Sequence, residues 1–342
     1  MSITHVTAHY LCRQADGEAS LSLRKDELAT DETKDILLDK LKSAFLSRLA
    51  RRHGSFPADA EPSLLAQELD AFLQDKHSFS QLSTTLMQQF EKDVNEKGVE
   101  IKAHFLFFVD ALSEQHQVFY LFVVNHNESL AINDSLEVMP SYSVDTGPSM
   151  FGIKVDLAEW KVRKNYAYLS MLPPRGNPDM AKIFDDLTGF GDGIDTQEST
   201  EKFLQGVESF AKQLPEDKVN DYRTQVVDYC MAQEQKDEPV NIHGLSKELD
   251  GIDCEKFVRE VLPHNPAGNS EEEAEVVLDR KSLRRYVKFS GRERDLSISF
   301  STYHLNGRVS YDQATDTLSI HGLPNALRSQ LLAHLKGDSR SQ

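Results

Sequence analysis

The sequence predicts an α+β protein: an N-terminal antiparallel sheet with helices, then a mainly helical region that ends in a small β-rich segment. Three observations carry this expectation. Apolar residues recur at helical spacing up to residue 96, then give way to dense Val, Ile, Phe and Tyr runs over residues 100–157. Helical spacing returns from Met180, and short strand patterns close the chain. Between the two regions, Pro173-Pro174-Arg175-Gly176 breaks regular structure. A length of 342 residues suggests two domains, at roughly 150 residues each. We place them at 1–172, a mixed domain with an antiparallel meander, and 177–342, an acidic helical region followed by a basic β-containing segment.

Residues 3–13 alternate as an opening strand, and Ser20–Leu23 can pair with it across the Ala15-Asp16-Gly17 turn. From Asp31, Ile36, Leu37, Leu41, Ala44, Phe45 and Leu49 recur at helical spacing. Arg51, Arg52 and His53 then read as the last turn of that helix, complementing its dipole before Gly54 stops it. Helices follow at 63–75 and 79–96, the second ending near Gly98. Strands are expected at 101–109, 116–125, 129–138 and 150–156, with turns at Ser113-Glu114-Gln115 and Asn125-His126-Asn127. This is a meander with helices on one face, closed by Trp160 and Tyr166–Leu169.

In the second half, Met180–Leu187, Gln197–Leu214 and Glu216–Gln235 fit helices. Asp195 with Glu198 suits a capping box, and Pro215 suits a helix start. Short helices are expected at Leu245–Leu249 and Cys254–Val261, with a loop at Pro263–Asn269. The end reads as strands at Tyr286–Phe289, Leu296–Phe300, Arg308–Tyr311 and Thr317–Ile320, then a helix at Asn325–Leu335.

Composition excludes several classes. Acids number 55 against 38 Lys plus Arg, a formal charge of -17, which no simple polybasic DNA-coating protein carries. The charge is segregated: residues 185–275 hold 23 acids and 8 bases, a net of -15, while the remainder is nearly balanced. A nucleic-acid surface therefore has room outside that block. Cys12, Cys230 and Cys254 are distant and odd in number, so free thiols in a reducing cytoplasm are expected, with no disulfide or zinc framework. No apolar run nears the ~20 residues of a membrane helix, and the N-terminus has no signal-peptide pattern.

The sharpest local signal is DRKSLRRYVKFSGRER, residues 279–294. It carries Arg280, Lys281, Arg284, Arg285, Lys288, Arg292 and Arg294 against Asp279 and Glu293, with Asp295 just beyond. On a helical start, Arg280 and Arg284 share a side, as do Lys281 and Arg285. Tyr286, Lys288 and Ser290 then share one face of a strand. Such a patch holds phosphates by charge and bidentate hydrogen bonds. It equally fits an ion-pair partner for the acidic block, Glu271–Glu273 and Glu275 above all. Lys161, Arg163 and Lys164 form a smaller cluster that either extends this surface or caps a helix end.

Other motifs lack chemical content. Gly189-Phe190-Gly191-Asp192-Gly193 has no Gly-Lys-Ser/Thr ending and reads as a link between helices. His5 and His9 lie in a strand, where positions four apart diverge, and His104 reads as a packed strand residue. Ser22–Lys25 and Ser209–Lys212 match S-x-x-K without its companion motifs. Nothing assembles nucleophile, base and orienter, so no catalytic residue, cofactor or metal is assigned.

The segments VDLAEW (155–160), LSKEL (245–249), DRKSLRRYVKF (279–289) and TDTLSIHGLPNALRSQL (315–331) together resemble the bacterial nucleoid-associated protein family of the NdpA type. Their order and spacing carry the likeness over nearly the whole chain. The resemblance implies a cytoplasmic protein found with the bacterial chromosome. The leading expectation is a non-enzymatic protein that binds double-stranded DNA directly and largely without sequence preference, through Arg280, Lys281, Arg284, Arg285 and Lys288, with Arg292 and Arg294 extending the path. The alternative is an acidic module recruited to the nucleoid by a basic DNA-handling protein such as a topoisomerase. A homodimer is the default assembly, since two-fold dimers are the commonest soluble oligomers.

Overall fold

The computed structural model describes residues 2–48, 50–57, 61–113, 116–162, 168–191, 195–236, 238–265, 274–301, 304 and 307–338. The first elements are β1 (Ser2–Arg13), β2 (Ser20–Ser22), α1 (Glu32–Leu46), β3 (Arg52–Gly54), α2 (Leu64–Leu73) and α3 (Phe79–Lys97). Then come β4 (Ile101–Ser113), β5 (His116–Ile132), β6 (Val138–Asp145), β7 (Phe151–Asp156), α4 (Leu157–Val162), β8 (Leu169–Leu172) and α5 (Pro178–Thr188). The strands form one antiparallel sheet in the order β2-β1-β4-β5-β7-β8-β3, with β6 paired to β5.

Alternation along the strands loads both faces of the sheet. Phe105, Phe107, Phe119, Leu121, Ile153 and Leu169 face one side and pack with α2, α3 and α5. Leu106, Phe108, Tyr120 and Phe122 face the other, under Leu38, Leu41 and Phe45 of α1. The helices therefore cover both faces, not one. A sheet whose two sides are both apolar leaves no solvated face, so each side takes a helical layer. On the α1 side, Lys42 reaches the buried Asp110 carboxylate of β4 at 2.7 Å.

Local signals place several ends. Ser78 and Gln81 form a reciprocal capping box on α3, and Gly98 closes it in the left-handed region at φ 66. Ser63 caps α2 and its hydroxyl also donates to the Thr188 carbonyl at 2.9 Å. That contact binds the start of α2 to the end of α5, and a Cβ on Gly189 would lie only 2.2 Å from Ser63 Cβ.

Two expectations fail here. Arg52–Gly54 is no helix end: it is the edge strand β3, with His53 opposite Ser170 of β8. Asn125–Asn127 is no turn: it lies within β5, and the 129–138 segment spans the end of β5, a turn and the start of β6. A polar triplet reads as a turn where a buried strand is expected, but from Asn125 onward β5 has left the core and is mostly exposed.

The second half comprises α6 (Thr196–Ala211), α7 (Glu216–Lys236), β9 (Val240–Asn241), α8 (Ile242–Glu248), α9 (Cys254–Val261) and a 3₁₀ turn at Leu262–His264. It continues with β10 (Glu275–Val276), α10 (Arg280–Val287), β11 (Lys288–Glu293), β12 (Leu296–Ser301), β13 (Val309–Asp312), β14 (Thr317–Ile320) and α11 (Asn325–Asp338). A separate core joins Phe203, Val207, Phe210, Tyr222, Val226, Phe257 and Leu283, the last from α10. Strands β11 with β12 and β13 with β14 form two isolated hairpins. The α10–β11 boundary corrects a further expectation, since Tyr286 and Val287 are helical.

Candidate nucleic-acid interface

Helix α10 is amphipathic by charge as much as by apolarity. Arg280, Leu283 and Tyr286 recur at i, i+3 and i+6, one helix face. Leu283 is fully buried in the second core. Tyr286 donates its hydroxyl to Glu208, whose carboxylate also takes a bidentate pair from Arg223 at 2.7 and 2.6 Å. Burial pushes the Glu208 carboxyl up, but Arg223 and Tyr286 outweigh it and hold it below its usual range. Burial and the Glu208 hydrogen bond both raise the Tyr286 hydroxyl, which stays protonated as a donor.

Arg280 also turns inward. Its Nε lies 3.4 Å from Glu234 of α7, and Arg51 reaches the other oxygen of that carboxylate at 2.9 Å. One buried carboxylate thus sits between two guanidiniums from distant parts of the chain. The ion pair with the acidic block that the sequence left open is made by Arg280, although with Glu234. Glu271–Glu273 lie outside the described residues.

With the inner face anchored, Lys281, Arg284 and Arg285 are left exposed on the outer face. The next residue after α10 opens β11, so the same basic run continues into the β11–β12 hairpin. Lys288, Ser290 and Arg292 occupy alternate positions there, opposite Ser301, Ser299 and Ser297. The intervening positions carry Phe289 and Phe300, whose rings lie 5.5 Å apart. Arg292 and Arg294 are exposed, and Arg294 holds the hairpin turn at φ 47. Glu293 and Asp295 flank Arg294 and dilute the charge at the tip.

The structure therefore gathers Lys281, Arg284 and Arg285 on one helix face, leads on to Arg292 and Arg294, and withdraws Arg280. Lys161 is exposed on α4. Arg163 and Lys164 lie outside the described residues, as does the Lys288 side chain. Exposed bases beside serine hydroxyls can grip phosphate oxygens by charge and hydrogen bonds, with no sequence information in the contact.

Elsewhere the histidines have structural partners. His5 pairs with Glu27 at 2.9 Å, and the rings of Tyr10, His104 and His126 lie in tilted contact across β1, β4 and β5. Among the described residues, no three His, Cys, Asp or Glu side chains are grouped to hold a metal ion. No helix among them is long and apolar enough to cross a membrane.

One feature of the surface carried no sequence expectation. The distal half of β5 and β6 form a ribbon with Leu130, Ile132, Val138 and Tyr142 exposed. Its signal was alternation on both sides of Asn133-Asp134-Ser135, hidden by the assumption of a turn at 125–127.

The profile of a family described as nucleoid-associated protein YejK matches residues 8–328. The match spans both cores, α10, the two C-terminal hairpins and the start of α11. A nucleoid-associated protein of Pseudomonas putida strain GB-1 is 29% identical over 337 residues, covering 97% of this chain and 98% of its own. A nucleoid-associated protein of Pseudomonas entomophila strain L48 has the same identity and coverage. One from Pseudomonas aeruginosa strain UCBPP-PA14 is 28% identical, over 97% of each chain.

Proposed function

The chain belongs to the nucleoid-associated protein YejK family, and from that premise we propose that it binds double-stranded DNA directly, largely without sequence preference. The contact surface is the outer face of α10 with Lys281, Arg284 and Arg285, continued by Lys288, Arg292 and Arg294 along β11. Arg280 acts from behind, holding the helix through Glu234. Lys161, Arg163 and Lys164 would lengthen the path where DNA runs on across the first half. The protein works in the cytoplasm, on the chromosome, and performs no catalysis.

The single observation that carries this reading is the partition of charge on α10: its inner residues are anchored and its three outer bases are exposed in water. The exposed acids of α6, α7 and α9 belong to the same half of the chain as α10, so they limit affinity and favour a salt-sensitive contact. Titration against short duplex DNA at several salt concentrations tests it. With roughly four to six phosphate contacts, log K should fall against log salt with a slope of about -4 to -5. Arg284→Glu with Arg285→Glu should weaken binding to every sequence alike and flatten the slope, while leaving the thermal transition in place. No binding by the wild type at low salt would reject direct contact. The exposed carboxylates of α6, α7 and α9 would then be the surface through which a basic DNA-handling protein recruits this one.

A further inference from the structure

The ribbon of β5 and β6 leaves the sheet with an apolar face that stays exposed among the described residues. Registered pairs define its two sides. Leu130 opposes Pro140, Ile132 opposes Val138, Glu128 opposes Tyr142 and His126 opposes Val144. These positions follow Phe122 and Val124, which lie in the core under α1, so the apolar face continues the α1 side of the sheet. The intervening positions are mostly polar, with Asn125, Asn127, Ser129, Ser141, Ser143 and Asp145 alongside the Ala131–Met139 pair. Leu130 is 76% exposed and Leu136, at the turn, is 84% exposed. An isolated two-stranded hairpin is at best marginally stable in water, and a contiguous exposed apolar face on one marks an interaction site.

Charge says what does not cover it. Residues 125–145 contain Glu128, Asp134, Glu137 and Asp145 and no Lys or Arg. Such a surface repels phosphate, so the ribbon is not a nucleic-acid arm.

A receptor for it lies at its own root. A groove of about 1240 Å³ runs beside α1, with an apolar floor that includes Leu28, Ile36 and Leu37. Ile36 is 49% exposed there. Lys34, Lys40 and Arg48 also line it, and among its described lining residues Asp39 is the one acid. Groove and ribbon are therefore complementary in both charge and apolarity. The distal part of the ribbon does not fill the groove of its own chain: β5 runs unbroken from the sheet into the ribbon, and Leu130, Ile132 and Val138 are absent from the groove's lining. Val144 and Ser143, at the root of the ribbon, form part of the groove wall. A two-fold axis placed beside that wall lets each copy give one ribbon and receive one.

We propose that two copies of this chain dimerise by reciprocal exchange, the apolar face of each β5–β6 ribbon lying in the α1 groove of the other. Two such contacts per dimer bring the interface toward the roughly 800 Å² per partner of a standard specific complex. The dimer does not depend on the DNA-binding reading, and its test contains no DNA.

Sedimentation of the full chain should give a dimer. Leu130→Asp with Ile132→Asp on the ribbon, and separately Ile36→Asp in the groove, should each raise the self-association Kd by at least about tenfold. Mixing the two variants should restore a heterodimer, since one ribbon and one groove in the pair remain intact. Ile36→Cys with Leu130→Cys in a Cys254→Ser background gives a second readout that tolerates a fragile ribbon: mild oxidation should yield a disulfide between chains. A monomeric wild type would overturn the proposal. So would dimers indifferent to both changes, or cross-linking of the Leu130→Cys variant alone, which would mean ribbon packs on ribbon.

Discussion

His9 is a buried histidine held in one protonation state by its neighbours. Its Nδ1 accepts the Arg24 backbone N–H at 3.1 Å, so the proton sits on Nε2, which donates to Ser83 Oγ at 3.0 Å. A second proton would have to face that N–H in an apolar setting. Burial accordingly lowers the pKa from 6.5 to about 4. Between those values the unfolded chain binds a proton that the folded chain refuses. Stability therefore falls as pH drops through that window, by up to about 3 kcal/mol at its acid end. Glu208, held low, adds a loss of the same sign at lower pH. Urea unfolding from pH 7 to pH 4 should show the slope, and His9→Gln, which keeps an acceptor and a donor, should flatten its upper part.

At the scale of elements, α10 couples a core to a charged surface. Among the described side chains of α10, Leu283 is the fully buried aliphatic anchor. Leu283→Ala should cost about 2–5 kcal/mol through lost burial and a cavity, measurable by chemical denaturation, and should loosen the presentation of Lys281, Arg284 and Arg285. The sequence placed many elements well: Cys254–Val261 has the expected ends, and α3 stops at Gly98 as its left-handed conformation requires. It misplaced the α10–β11 junction. Tyr and Val favour strands locally, and only the bond from Tyr286 to Glu208, 78 residues away, shows why the helix continues. It also misread Arg51–His53, since a short edge strand next to basic residues resembles a helix end until β8 is there to pair with it.

For the whole molecule, the carboxylate of Glu234 is where the two halves meet electrostatically. Arg51 is 4% exposed, Glu234 9% and Arg280 18%. Breaking a buried pair by removing one partner costs about 3–5 kcal/mol, because it strands charge away from water. Glu234→Gln should therefore destabilise by this order, with two guanidiniums left facing each other. Far from the DNA surface in chain position, the same change should also lower DNA affinity, because Arg280 loses the anchor that orients α10. Differential scanning calorimetry, with DNA titration on the folded variant, separates the two effects.

Residue periodicity determined that this chain is α+β and where most of its helices lie, and residue counts showed that its negative charge is concentrated in one block. Those properties are local, set by spacing along the chain. The basic run at 279–294 was also legible, because charge needs no fold to be seen. Which of its residues face water was decided only in three dimensions: Arg280 and its neighbours share residue type and spacing, yet Arg280 points at a carboxylate 46 positions away in the chain. The β5–β6 ribbon belongs to the same category. Its alternation is present in the sequence, but alternation does not say whether an apolar face meets its own core or leaves it, and that depends on where β7 ends and α1 lies.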